Sequence, residues 1–120
     1  MTGSTRTQHD GIVSELRDDG ILIVTLDRPE ALNPWGKAER EVWNDMMRDI
    51  ERQTTQCRVV ILTGTGRAFS AGGDVTQFGE MFGAGTEAAV AHMQRYQEMA
   101  RLAWRLPVPV IAAINGLALG

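Results

Sequence analysis

Cysteine is almost absent from this chain, since Cys57 is the single thiol among 120 residues. One thiol excludes a disulfide framework and a paired-cysteine metal site, and it favours a reducing, cytoplasmic setting. Long apolar runs are missing too, because no stretch approaches the ~20 apolar residues of a membrane span. The opening residues MTGSTRTQHD are polar and lack the apolar core of a secretory signal. The sequence therefore predicts no membrane partner.

Positive charge is also scarce. Lys and Arg number 12 against 15 Asp and Glu, so the net charge is −3, and no basic cluster marks a path for phosphates. This balance argues against a nucleic-acid partner. His9 lies in the polar opening segment, and His92 stands alone on a predicted helix, which is more typical of a surface or packing residue than of a general base. No metal site is predicted.

Short apolar runs separated by turns are what the sequence does contain, and 43% of its residues are hydrophobic. This length and composition fit one globular domain or a piece of a larger one. Residues 1–10 are expected to form a disordered leader. Residues 11–17 and 20–27 are β-branched and apolar, and the connection Asp18-Asp19-Gly20 between them predicts a hairpin.

The remaining segments alternate between helical and strand patterns. Residues 36–53 and 86–106 carry apolar side chains at helical spacing, whereas residues 58–64 and 108–114 are continuous apolar runs typical of buried strands. This alternation predicts an α/β fold with parallel strand pairing. Trp43 and Trp104, one on a face of each predicted helix, are expected in the core or between subunits.

Two segments rich in Gly and Ala follow the buried strands, AFSAGGD at 68–74 and NGLALG at 115–120. The run GTGRAFSAGG at 64–73 does not fit a phosphate-binding loop, because it lacks the GK[ST] ending and the third glycine of GxGxxG. Backbone N–H groups of two adjacent glycine-rich loops could converge on an oxyanion. Spacing alone favours the other interpretation, in which the glycines only permit tight turns and close packing.

Three blocks together resemble the enoyl-CoA hydratase/isomerase family, also called the crotonase superfamily: RPEALNP, VVILTGTGRAFSAGGDV and VPVIAAINGLALG. The resemblance implies that residues 11–120 are the N-terminal part of a single acyl-CoA-binding domain, within an α/β spiral of ββα units. It also implies acyl-CoA or enoyl-CoA substrates, coenzyme A as part of the substrate with no other cofactor, and assembly as a homotrimer or hexamer.

The same resemblance assigns site residues. One oxyanion-hole N–H falls on Gly73, and the second falls on the position after Gly120. The coenzyme A and acyl path is implied to involve residues of all three blocks: Ala31, Leu32, Ala71, Gly72, Gly73, Asp74, Val75, Leu117 and Gly120. For Asp74, capping of the segment that begins at Val75 is favoured over direct catalysis.

Catalytic acids are harder to assign. The candidates Glu80, Glu87 and Glu98 lie in polar stretches, where a solvated carboxylate has no reason to hold a pKa suited to proton transfer. The resemblance implies that the catalytic glutamates lie beyond Gly120. Because an apolar end such as LALG is unusual for a domain, the sequence is expected to be cut short and inactive alone.

Other residues in or beside these blocks have open roles. Trp35 either narrows the acyl pocket or covers its loop. Arg28 and Arg67 could approach coenzyme A phosphates, although solvated surface positions are favoured for both. The sequence thus favours an enoyl-CoA hydratase, with a Δ-isomerase as the alternative activity. A non-catalytic CoA-thioester-binding module is the alternative from another class.

Overall fold

The computed structural model of the protein describes residues 3–53 and 55–120, with the side chains of 80–82 left out. Within this part of the chain there are seven strands: β1 Ser4–Gln8, β2 Ile12–Arg17, β3 Ile21–Leu26, β4 Val59–Gly64, β5 Ala68–Ser70, β6 Val110–Ala112 and β7 Leu117–Ala118. The α-helices of the same part are α1 Lys37–Glu51, α2 Phe78–Gly83 and α3 Thr86–Trp104. None of these helices is long and apolar enough to cross a bilayer.

The strands form two sheets. The larger has the order β1-β2-β3-β4-β6, with β1, β2 and β3 antiparallel and β3, β4 and β6 parallel. The smaller pairs β5 with β7 in parallel. Each of the two strand pairs after the hairpin, β4–β5 and β6–β7, thus places one strand in each sheet. The predicted α/β class with parallel pairing is confirmed.

The hairpin β2–β3 closes through the predicted Asp18-Asp19-Gly20 connection. Gly20 has φ +87°, a left-handed conformation that glycine adopts at little cost, and its N–H donates to the carbonyl of Arg17. Along β3 the burial alternates, so that Leu22, Val24 and Leu26 are buried and the residues between them are half-buried. One face of this strand is therefore fully buried, and the other is half-buried.

The core lies between the larger sheet and the helices α1 and α3. α1 turns an apolar stripe toward the sheet, and α3 contributes one fully buried side chain, Leu102. The buried cluster consists of Ile12, Leu22, Val24, Leu26, Trp43, Met47, Ile50, Val60 and Leu102. The predicted helices 36–53 and 86–106 are confirmed to within two residues at each end.

Three features differ from the sequence-based expectations. Ser4–Gln8 forms a strand rather than a disordered leader, because it pairs along the free edge of β2 although all its side chains are exposed. The glycine-rich segments are partly strands, since Ala68–Ser70 pairs with Leu117–Ala118. Trp104 is 90% exposed. It therefore lies outside the core of this chain, because α3 turns its Leu102 side inward, and its packing between subunits stays a prediction.

Asn33 ties the loop between β3 and α1 to the end of β4. Its Oδ1 accepts from the N–H of Arg28 at 2.9 Å, and its Nδ2 donates to the carbonyls of Thr65 and Ala68, both at 2.9 Å. Asn33 is 1% exposed and has φ +54°. One buried amide thus satisfies three backbone groups from two segments.

We predict that Asn33→Ala lowers the free energy of unfolding by roughly 3 kcal/mol, because buried backbone groups lose their partners. Urea denaturation checks this value. Asn33→Gly removes the same bonds but tolerates the left-handed backbone, so it should be about 1 kcal/mol less destabilising than the alanine variant. An unfolding free energy unchanged in both variants would contradict this role of Asn33.

Candidate functional site

The two glycine-rich segments meet at one end of the smaller sheet. Ser70 pairs with Ala118 in register, and the N–H of Leu119 donates to the carbonyl of Ser70 at 2.9 Å. A Cβ built on Gly72 would lie 2.5 Å from the carbonyl oxygen of Gly120, and Gly72 has φ +95°. Glycine at position 72 is therefore required both by the backbone conformation and by the approach of the second segment.

A third segment, the loop before α1, runs beside the first. Trp35 forms an isolated parallel bridge with Gly73. Its N–H donates to the carbonyl of Gly72 at 2.7 Å, and its carbonyl accepts from the N–H of Asp74 at 3.1 Å. The N–H of Ala71 donates in addition to the carbonyl of Leu32 at 2.8 Å. All three sequence blocks that carry the family resemblance therefore converge here.

This bridge fixes where the N–H of Gly73 points. The carbonyl of Gly72 is turned toward Trp35, and a trans peptide directs its N–H opposite to its C=O. The N–H of Gly73 therefore points away from Trp35. Among the described residues no hydrogen-bond acceptor is found for it, so this half-buried donor is available.

Gly73 adjoins a cavity of about 360 Å³. Aromatic and aliphatic side chains form most of the wall, and no acidic side chain is present among the described lining residues: Trp35, Trp43, Gly72, Gly73, Tyr96, Met99, Ala100, Ala103, Leu119 and Gly120. We call this space the Gly73 cavity. The indoles of Trp35 and Trp43 meet edge to face, with centroids 5.8 Å apart. An apolar wall with one free backbone donor suits an acyl chain that carries a carbonyl group.

A buried ionic network lies beneath the glycine segment. Nε and Nη2 of Arg28 donate to the two carboxylate oxygens of Glu39 at 3.0 and 3.3 Å, and Nη2 also donates to Oδ2 of Asp74 at 3.1 Å. Glu39 is 3% exposed and Asp74 is 7% exposed. The expectation of a solvated Arg28 is therefore wrong, because its donors are engaged by two buried acids. Burial alone would lower the pKa of Arg28, but these partners raise it.

Asp74 caps the short 3-10 helix Val75–Gln77, as predicted. Its Oδ1 accepts from the N–H of Thr76 at 3.1 Å and from the hydroxyl of Thr76 at 2.6 Å. The hydrogen bonds from Thr76, followed by that from Arg28, lower the pKa of Asp74, although burial acts in the opposite direction. Asp74 does not line the Gly73 cavity.

The other assigned residues are distributed unevenly. Gly72, Gly73 and Gly120 line the Gly73 cavity, whereas the remaining assigned residues do not: Ala31, Leu32, Ala71, Asp74, Val75 and Leu117. Val75 is 72% exposed and Leu117 44% exposed. The geometry therefore brings the proposed oxyanion donor into a cavity but does not gather the whole assigned coenzyme A path there.

Three acids and one thiol are poor catalytic candidates by their sequence context. None of those whose side chains are described lines this cavity. Glu98 pairs with Arg101 at 3.0 Å, and Glu87 lies exposed in the first turn of α3. The side chain of Glu80 lies outside the described residues. Burial raises the pKa of the Cys57 thiol, which disfavours its reactive thiolate. No group of three His, Cys, Asp or Glu side chains that could hold a metal occurs in the described part of the chain.

Sequence reasoning missed two residues near the site. Glu39 accepts from the N–H of Gly36 at 2.8 Å, and an acid three residues after a helix cap is a signal that could have marked it. The hydroxyl of Tyr96 donates to the carbonyl of Trp35 at 2.6 Å. No local pattern could have revealed this bond, since the two residues lie 61 positions apart.

Comparisons with known proteins identify the family of the chain. Residues 17–120 match the sequence profile of a family described as enoyl-CoA hydratase/isomerase. The chain is 32% identical to a probable enoyl-CoA hydratase of Rhodobacter capsulatus, over 85% of this chain and 37% of that protein. It is 33% identical to the 1,2-epoxyphenylacetyl-CoA isomerase of Escherichia coli, over 86% of this chain and 39% of that protein.

Solved structures with the same family description share the fold. A crystal structure of an enoyl-CoA hydratase/isomerase from Xanthobacter autotrophicus Py2 superimposes with a TM-score of 0.80 and 29% identity. The superposition covers 91% of this chain and 40% of that one. The chain thus spans about two fifths of the length of the relatives that it matches.

We predict that Asp74→Asn lowers the free energy of unfolding at neutral pH by roughly 1–3 kcal/mol, because Arg28 and Thr76 lose the buried, charged carboxylate that accepts their hydrogen bonds. The folded state lowers the pKa of Asp74, so the ionised form stabilises the fold above the usual pKa of an aspartate, about 3.9. That stabilisation disappears as the pH falls through the lower, folded-state pKa. The difference between wild type and variant should therefore shrink in acid.

Denaturation across a pH series checks this prediction. Asp45→Asn is the matched control, because the Asp45 side chain is 80% exposed and pairs with Arg48 at 3.8 Å on the surface of α1. It should change the unfolding free energy by less than about 0.5 kcal/mol at any pH. An Asp74→Asn effect that is equally large in acid and at neutral pH would contradict the assignment.

Proposed function

Because the chain belongs to the enoyl-CoA hydratase/isomerase family, we propose that it forms the part of an acyl-CoA enzyme that supplies one oxyanion donor, the N–H of Gly73. The α/β fold class, a crotonase-like spiral of ββα units, is likewise confirmed by the similar structures. The observation that carries the proposal is a backbone N–H without an acceptor in the described chain, at the wall of an apolar cavity.

The activity we propose first is hydration of a 2-enoyl-CoA. Water adds across the 2,3 double bond: its hydroxyl bonds to C3, negative charge moves onto the thioester oxygen, and C2 then takes up a proton. A donor that is already aimed at this oxygen stabilises the enolate without reorganisation. Each such donor typically contributes about 2.7–4 kcal/mol to lowering the barrier. The second donor is proposed at the position after Gly120.

The remaining assignments extend the same proposal. The loop at Ala31 and Leu32 lies beside the glycine segment through the bond between Leu32 and Ala71, so we assign it to the coenzyme A path together with Val75 and Leu117. The chemistry uses backbone donors and the coenzyme A of the substrate, so no further cofactor is proposed. We place the enzyme in the cytoplasm and expect a homotrimer or hexamer.

One observation favours a second candidate, a module that binds CoA thioesters without turning them over. No described side chain that lines the Gly73 cavity is an acid or a base suited to proton transfer. Hydration and Δ-isomerisation both require such a group. In this second candidate, residues 1–120 bind a CoA thioester without turning it over. In the first candidate they likewise bind without turnover, because the catalytic glutamates are proposed to lie beyond Gly120.

Titration of the isotopically labelled chain with butyryl-CoA and crotonyl-CoA tests the oxyanion role. The amide proton of Gly73 should shift downfield on binding, because it gains a carbonyl acceptor. The amide of Gly79 serves as an internal control, since no described group outside its own helix backbone and chain neighbours lies within 4 Å of the Cβ position of Gly79. A Gly73 amide unmoved at saturating thioester would contradict the role.

Turnover separates the two candidate functions. Hydration of crotonyl-CoA is measured for residues 1–120 and for the complete product of the gene. Turnover by the complete product alone supports the enzyme and the position of its acids. Hydration at the same rate by residues 1–120 would contradict the proposed location of those acids. Binding without turnover in both proteins would favour the non-catalytic module.

A further inference from the structure

The segment Gly72-Gly73 has no side chains of its own that could fix the direction of the Gly73 N–H. Gly72 and Gly73 lack side chains, and consecutive glycines have more conformational freedom than any other pair. Both peptide units flanking Gly73 are instead held from outside by Trp35. The N–H of Trp35 binds the carbonyl of Gly72, and the carbonyl of Trp35 binds the N–H of Asp74.

The carbonyl of Trp35 is held in turn by a second donor. The hydroxyl of Tyr96 donates to it at 2.6 Å, which is shorter than the 3.1 Å bond from Asp74. The hydroxyl also lies close to the glycine itself, since a Cβ built on Gly73 would be 4.0 Å from it. Tyr96 thus joins α3 to the peptide that orients Gly73.

The ring of Tyr96 is itself fixed by charged and aromatic neighbours. The guanidinium of Arg40 lies over the ring, 5.3 Å from its centroid, and Arg40 is 6% exposed. The imidazole of His92 packs against the ring with centroids 5.0 Å apart. Burial raises the pKa of the Tyr96 hydroxyl, so this group remains a protonated donor at neutral pH. A fixed ring with a protonated hydroxyl can restrain its acceptor.

We propose that Tyr96 is a positioning residue that fixes the direction of the Gly73 N–H through the carbonyl of Trp35. This inference rests on the proposed oxyanion role of Gly73. Without the hydroxyl, Trp35 keeps its bonds to Gly72 and Asp74, so the fold and the cavity remain. What changes is the angular freedom of the Gly73 donor, and with it the recognition of a thioester oxygen.

The test compares binding of butyryl-CoA with that of its thioether, S-butyl-CoA, which has the same chain but no carbonyl group. Calorimetry gives the ratio of the two dissociation constants for the wild type, for Tyr96→Phe and for Met93→Leu. Met93 is the matched control, because it lies on the same helix and is 52% exposed. The ratio reports the hydrogen bond to the carbonyl and is insensitive to packing that both ligands share.

The wild type and Met93→Leu should prefer the thioester by about fivefold, the value of one ordinary hydrogen bond. Tyr96→Phe should lose most of this preference while its affinity for the thioether changes less than about twofold. An unchanged preference in Tyr96→Phe would overturn the positioning role. Absence of any preference in the wild type would instead count against the oxyanion role of Gly73, so the two failures are distinguishable.

A second variant removes the donor while keeping the ring in place. The sequence contains one tyrosine, so biosynthetic replacement by tetrafluorotyrosine changes residue 96 alone. At mildly alkaline pH the fluorinated hydroxyl is ionised and cannot donate, whereas the natural hydroxyl stays protonated. The groups that face it, which are Arg40, Glu39, Asp74 and His92, are the same in both proteins. Retention of the full thioester preference in the fluorinated protein would overturn the proposal.

Discussion

Burial of two carboxylates, Glu39 and Asp74, is possible because one guanidinium reaches both. A buried acid without a partner would cost several kcal/mol, and Arg28 removes that penalty by a forked contact to Glu39 and a third bond to Asp74. These residues belong to the loop before α1, to the first turn of α1 and to the glycine-rich segment. Charge neutralisation therefore adds to the backbone bonds that hold these three segments together.

The glycine-rich segment gains its order from these neighbours and not from its own side chains. Glycine at position 72 allows the approach of Gly120, and glycine at 73 leaves an N–H beside an open cavity. The same lack of side chains would leave the donor poorly directed. Trp35 supplies the missing restraint through two backbone bonds, and Tyr96 restrains Trp35. The glycines thus leave the backbone donor exposed, whereas Trp35 and Tyr96 fix its direction.

The sequence patterns correctly predicted the elements whose structure depends on neighbouring residues. The Asp-Asp-Gly turn, the two amphipathic helices and the apolar strand β4 all depend on residues close in sequence, and all were found. The local sequence predicts loops where β5 and β7 form, because each strand has two or three residues and gains its order from a distant partner. The exposure of Trp104 and the bond between Tyr96 and Trp35 depend on how α3 is placed. Nothing in their local sequence encodes that placement.

The contact between Gly72 and Gly120 also bears on the order in which the chain can fold. Chain segments emerge during synthesis from the N-terminus, and the hairpin β2–β3 can form from contacts between neighbours. The smaller sheet has to wait for β7, because β5 has no other strand partner among the described residues. The wall that Leu119 and Gly120 give to the Gly73 cavity is therefore completed late. A partly synthesised chain can thus contain most of its helices and strands before it contains a place for a ligand.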